Sequence, residues 1–137
     1  MSDVFALRPI GHVRSPLVDP AHAPRQGDEG APPARIVVDP ALRPALTGLT
    51  TGTDVLVLTW LHRARRDEMT TRPRDDPDRP EQGVFATRSP HRPNPIGLHR
   101  VRIVAIDDAG IVVDHLEAVD GTPVLDLKPV LGPLDER

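Results

Sequence analysis

The chain reads as a mainly β protein, a small antiparallel barrel or sandwich with one short helix and long loops. Three observations predict this. Short runs rich in valine, isoleucine and leucine recur along the 137 residues. Turn formers separate them, with 17 prolines and 10 glycines in the chain. Only one stretch carries helical spacing, and there is no internal repeat and no heptad pattern.

Residues 4–14 show the alternation of a strand, closed by Ser15-Pro16. Residues 22–33 are rich in Gly, Pro, Asp and Glu and read as a long loop. Residues 35–38 form a short strand. In residues 40–49, Leu42, Leu46 and Leu49 lie at helical spacing; Pro40 suits a helix start, Gly48 its end, and Pro44 confines it to one or two turns. Residues 54–61 have the pattern of a strand buried on both faces. Residues 63–82 are charged and proline-rich, without periodicity, and are expected to leave the body of the fold as a lid or binding loop rather than as an inert disordered insertion. Residues 83–87 are expected to be a strand entering the core. Residues 98–106 and 111–119 form two strands joined by the hairpin signal Asp107-Asp108-Ala109-Gly110, and residues 123–127 a last short strand.

The length suits a single domain, residues 1–137, large enough for one core. Without cysteine there is neither a disulfide framework nor a thiolate metal site. No apolar run approaches the ~20 residues of a membrane helix, and the N-terminus lacks a charged region followed by an apolar one. A soluble cytoplasmic protein is therefore expected. A net charge of −3 argues against a basic footprint over the whole surface, although ten arginines fall between positions 63 and 102. Arginine offers a planar fork of donors to carboxylate or phosphate, and an arginine bias also follows from base composition.

Several chemistries are excluded by pattern. The chain has no Gly-x-Gly, no Gly-Lys, no His-Glu-x-x-His and no Gly-x-Ser-x-Gly. No metal is expected. What remains is residues 88–97, Arg-Ser-Pro-His-Arg-Pro-Asn-Pro-Ile-Gly, where Pro90, Pro93 and Pro95 stiffen a loop carrying two arginines, a histidine, a serine and an asparagine. A stiff frame with many donors suits a ligand better than a core.

Residues 83–97 resemble the signature of the TrmO family, also called TsaA-like or YaeB-like proteins. Ile10-Gly11-His12-Val13-Arg14-Ser15-Pro16 resembles the family's opening strand, Pro24-Arg25-Gln26 its next short motif, and residues 120–129, Asp-Gly-Thr-Pro-Val-Leu-Asp-Leu-Lys-Pro, its closing motif. Four motifs in order span nearly the whole chain. The resemblance implies a small β-barrel, so it selects the barrel over the sandwich. It implies an S-adenosyl-L-methionine-dependent methyltransferase, and the family's characterised activity is N-methylation of threonylcarbamoyl-adenosine beside the tRNA anticodon. It also implies homodimers whose pockets lie near the subunit boundary.

By the same resemblance, Arg88 is the first candidate to contact the cofactor, with Leu98 on its adenine side. Pro24, Arg25, Gln26, His62, Arg63, Asp120, Gly121, Thr122 and Pro123 are the other cofactor-binding candidates. Arg92, Asn94 and Lys128 are substrate-binding candidates, and Asp126, Lys128 and Asn94 catalytic ones. Residue by residue, Asp120-Gly121 is also simply a turn, and Asp126 with Lys128 an ion pair on one side of a strand. His99 stands where the family usually has serine after Gly-Leu and Val130 where tyrosine is common after Lys-Pro, and the C-terminal domain usual in bacterial members is not expected. The acceptor is accordingly either tRNA or a small anionic or polar metabolite; a non-catalytic nucleotide-binding module is the reading from another class. No membrane partner is expected.

Overall fold

A computed structural model of the chain describes residues 3–19 and 31–132. In chain order the strands are β1 (Gly11–Arg14), β2 (Ala34–Val38), β3 (Asp54–Trp60), β4 (Thr70–Thr71), β5 (Gln82–Gly83), β6 (Ile96–Asp107), β7 (Gly110–Asp114) and β8 (Pro123–Pro129). Six of them close an antiparallel barrel in the order β1-β2-β7-β6-β3-β8, with β8 pairing back onto β1 at Gly11↔Val124. β4 and β5 make a separate two-stranded ribbon.

The interior follows from side-chain parity. Strand side chains alternate between faces, so Ala34, Ile36 and Val38 of β2 point inward, as do Val55 and Val57 of β3 and Val101 and Ile103 of β6. These are mostly β-branched residues with one preferred rotamer on a pleated surface, so they fill a small barrel at little entropic cost. The pairing register shifts once between Ile103 and Ala105 of β6, and once between Leu58 and Thr59 of β3 where it meets β8. Such bulges bend strands and let a short sheet close.

Pro40–Leu46 forms a 3-10 helix whose first turn is capped by Asp39, its carboxylate accepting from the Ala41 backbone N–H at 3.0 Å. Pro44 inside it lacks a donor, so the wider turn of an α-helix has nothing to close on. It lays Leu42 and Leu46 against the core at the end where β3 begins.

Several expectations are corrected. The first strand is Gly11–Arg14 alone; residues 3–9 have no ladder partner among the described residues, Pro9 interrupts them, and Val4, Phe5 and Leu7 are exposed. Residues 83–87 are not a core strand. After the short β5 comes a 3-10 turn, Val84–Ala86, that buries only Val84 and leaves Phe85 outside, because the six-stranded wall is already closed. β3 is not buried on both faces: Val55, Val57 and Thr59 are buried, while Leu56, Leu58 and Trp60 are half-exposed. β7 ends at Asp114, where His115 takes φ 69, and the chain continues irregularly with Leu116, Ala118 and Val119 still buried. Residues 63–82 are not bare of secondary structure but hold β4 and a 3-10 turn, Pro73–Asp75.

Candidate functional site

At the end of the barrel where β3 finishes and β6 begins, a cleft of about 1080 Å³ opens between the strand ends and the loops of residues 61–95. That is the upper limit of ordinary small-molecule pockets, ~300–1,000 Å³. The barrel side contributes Leu98, His99, Ala118, Val119 and Thr122; the loop side contributes His62, Arg63, Arg88, Arg92 and Asn94 among others.

The proline loop is held by arginines from both sides. Arg92 turns back on its own loop and donates through Nη1 to the carbonyls of Thr87 at 2.9 Å and Ser89 at 3.2 Å. Arg66 donates to the Pro93 carbonyl at 2.6 Å and to Asn94 Oδ1 at 3.0 Å, with its guanidinium 5.2 Å from the Trp60 ring centre. The Arg65 backbone N–H donates to His91 Nδ1 at 2.9 Å, and Leu61 N–H to the Pro95 carbonyl at 2.8 Å. Prolines leave carbonyls with no neighbouring N–H to bond, and arginines satisfy several of them here.

This use of arginine sorts the cleft's cations. Arg63 donates to the Val18 carbonyl, Arg65 pairs with Glu68, Arg72 donates to the Arg79 carbonyl, Arg79 pairs with Asp76, and Arg92 is occupied as described. Arg88 is exposed on the cleft wall and has no partner among the described residues. Of the cleft arginines with described side chains, it alone leaves its whole fork of donors unengaged by the described residues.

The closing motif ties two strands together beside the cleft. Gly121 adopts φ 84, a left-handed conformation suited to glycine. Its N–H donates to the Val13 carbonyl at 2.7 Å, and Asp120 Oδ1 accepts from Ser15 N–H at 3.0 Å. The buried Thr122 hydroxyl donates to the Val119 carbonyl at 2.7 Å. Thr122 lines the cleft; Asp120, Gly121 and Pro123 adjoin it in the chain. Asp126 and Lys128 lie elsewhere, ion-paired at 3.2 Å on the outer face of β8 opposite Leu58 and Leu56. Pro24, Arg25 and Gln26 fall outside the described residues.

Sequence reasoning passed over one feature of the site. Thr59 and His99, both on inward-facing positions of their strands, are buried, and Thr59 Oγ1 lies 2.7 Å from His99 Nε2. His99 Nδ1 lies 2.6 Å from Glu117 Oε1, and Glu117 lines the cleft. Gly97 makes this possible: a Cβ there would lie 2.4 Å from Thr59 Oγ1 and 2.6 Å from His99 Nε2. The available signal was parity, since a histidine two residues from an inward valine must find polar partners inside. Among the described residues, no group of three or more His, Cys, Asp or Glu converges as a metal site, and no helix is long and apolar enough to cross a membrane.

Comparison with known proteins places this geometry in context. The family described as the tRNA-methyltransferase O N-terminal domain matches residues 12–136. A probable S-adenosyl-L-methionine-binding protein of Archaeoglobus fulgidus is 43% identical over 94% of this chain, which spans 35% of that relative. A protein of the same description from Methanothermobacter thermautotrophicus is 39% identical over 98% of this chain and 97% of its own length. The crystal structure of TrmO from Pseudomonas aeruginosa superposes with a TM-score of 0.79 at 29% identity, covering 98% of this chain and 60% of that one. This chain therefore spans about a third of one of these relatives and nearly all of another.

Proposed function

The chain belongs to the tRNA-methyltransferase O N-terminal domain family, and from that premise we propose that it binds S-adenosyl-L-methionine in the cleft and transfers the methyl group to nitrogen. The observation that carries this is Arg88, a cation with no protein partner among the described residues in a cleft whose other described arginines are engaged. The residues fit the cofactor by chemistry. Arg88 suits its carboxylate, and Leu98 gives apolar surface for its adenine. The volume leaves room for an acceptor beside it.

When bound, S-adenosylmethionine would supply a methyl carbon already activated by the sulfonium: a carbon–nitrogen bond to the acceptor would form as the carbon–sulfur bond breaks, with the electron pair left on sulfur and the nitrogen's proton lost to solvent. The protein's task is then alignment, worth up to ~7–11 kcal/mol in favourable cases. A proline-stiffened loop stapled by Arg66 and Arg92 suits that task, with Arg88 and Leu98 at its two ends. The acceptor we propose is N6-threonylcarbamoyladenosine in tRNA, beside the anticodon, in keeping with the family's description. Among the residues that line the cleft we assign His62 and Arg63 to the cofactor and Arg92 and Asn94 to the acceptor, although Arg92 and Asn94 are partly committed to the loop itself. We read the cytoplasm as the site of action.

We further propose a homodimer. The exposed Val4, Phe5 and Leu7 call for cover, and Asp126 and Lys128, which do not line this chain's cleft, would in a dimer serve the partner's. Sedimentation at micromolar concentration tests this, and a monomer that binds cofactor normally would refute it. For the reaction, radiolabelled cofactor is incubated with total tRNA. Label in the threonylcarbamoyladenosine nucleoside is the expected result. Cofactor binding without label in tRNA would move the assignment to a small-molecule acceptor, or to a binding module if no acceptor is found.

A further inference from the structure

Glu117 is held in place with unusual care for a residue at the edge of a cleft. Its neighbours Leu116 and Ala118 are buried, and its own side chain keeps 18% of its surface exposed. Oε1 is bonded to His99, and His99 to the buried Thr59. One neutral tautomer satisfies the whole row: Thr59 O–H donates to Nε2, and Nδ1–H donates to the carboxylate. The row is locked by the absence of a side chain at Gly97. The second carboxylate oxygen has no partner among the described residues.

No arginine or lysine among the described residues pairs with Glu117. The other carboxylates on the cleft wall are occupied, Glu68 by Arg65 and Asp75 by a partner of its own. A largely desolvated carboxylate is costly without an opposite charge, and the cost falls when one arrives with a ligand. The surroundings say what kind of cation fits. An ammonium or guanidinium carries several N–H groups and needs as many acceptors. Here one carboxylate oxygen of Glu117 has no partner among the described residues, and Ala118 and Val119, which follow it in the chain and line the same cleft, add no side-chain acceptor. A sulfonium has no N–H, is flanked by carbon on three sides, and asks only for charge and apolar contact.

We propose that Glu117, oriented by His99, is the counter-charge to the sulfonium of S-adenosylmethionine. This inference rests on the cofactor assignment above. It has a consequence for turnover: once the methyl has left, the sulfur is a neutral thioether, so the carboxylate favours the substrate over its own product. His99 is a positioning residue, since it reaches the ligand only through Glu117.

The test is calorimetric titration of the full chain with S-adenosylmethionine and, separately, S-adenosylhomocysteine. These differ by the methyl and the positive charge. Glu117→Gln is expected to bind S-adenosylmethionine roughly tenfold to a hundredfold more weakly, the range for bonds to charged groups, while S-adenosylhomocysteine affinity stays within about twofold. Retained binding of the thioether also shows that the variant is folded. Glu117→Asp and His99→Asn, which displace the charge without removing it, are expected to lower the affinity ratio severalfold. Should the amide variant not fold, these two decide, and an unchanged ratio in both overturns the proposal. Equal weakening of both ligands, or none, also overturns it and assigns Glu117 to an uncharged part of the cofactor or to structure alone. Failure of the wild type to bind either ligand removes the cofactor assignment itself.

Discussion

Ile36, Val57, Ile103 and Val113 meet inside the barrel with no exposed surface at all, whereas of the described residues between 61 and 95 only Val84 and Pro95 are buried. The barrel is ordered by apolar contact. The cleft-side loops are ordered by arginine: Arg63, Arg66, Arg72 and Arg92 donate to backbone carbonyls. The difference teaches how to read an arginine-rich segment. Most of these guanidiniums serve the fold by binding the protein's own proline-rich backbone, so their number overstates the positive charge offered to a ligand. It also means that the two regions should fail separately, the barrel all at once and the loops by local opening.

The largest effect expected is in the barrel. Ile103→Ala removes a fully buried side chain beside the β6 bulge and should cost about 2–5 kcal/mol in denaturant unfolding. Every amide of the six strands should lose protection together. Loss confined to β6 and β7 would break the picture of one cooperative barrel. A smaller effect is expected in the loops. Arg66→Ala takes away two hydrogen bonds and the stacking on Trp60, worth about 1–2 kcal/mol. Hydrogen exchange should quicken between residues 61 and 95 while the barrel amides keep their rates. If barrel protection falls as well, the loops and barrel are one unit and the contrast fails.

The smallest effect concerns Asp54, on the barrel's outer surface. A hydrogen bond from Arg100 at 3.0 Å, and behind it one from Arg102 at 3.2 Å, hold its carboxyl below the ordinary value of 3.8 despite partial burial. A depressed folded-state value stabilises the protein above the unfolded-state value, and this is lost as pH falls through the folded one. Asp54→Asn should therefore cost about 0.5–1 kcal/mol at neutral pH. The difference from wild type should close only below the ordinary carboxylate range, as followed by thermal unfolding across pH.

How much of this was legible in the sequence also divides along the two regions. The barrel strands announced themselves through valine and isoleucine at alternating positions, and Asp107-Asp108-Ala109-Gly110 is the hairpin expected of it, with Asp107 Oδ1 accepting from Ala109 and Gly110. Residues 83–87 misled because Val84-Phe85-Ala86 is as apolar as a strand, and composition does not say that the wall is already closed. Residues 4–9 misled because alternation needs a partner strand to matter. At the site, the motif residues Arg88, Leu98 and Thr122 line one cleft. Asp126 and Lys128 share that sequence signal but face outward, since which side of β8 meets the cleft depends on a bulge that sequence does not mark. His99 was visible as an oddity. Its meaning required Glu117, 18 residues away and beyond the β7 strand, to be seen beside it.

The central claim is that Arg88 is the arginine the cleft reserves for a ligand. Titration of S-adenosylmethionine into wild type, Arg88→Ala and Arg63→Ala measures it directly, with thermal unfolding in parallel. Arg88→Ala should bind roughly tenfold to a hundredfold more weakly with an unchanged unfolding temperature, because its side chain bonds to nothing in the described protein. Arg63→Ala should mainly loosen the contact with Val18 and change affinity by less. Equal affinity in wild type and Arg88→Ala, with both folded, would mean that the unpartnered arginine is merely solvated and that cofactor recognition lies elsewhere.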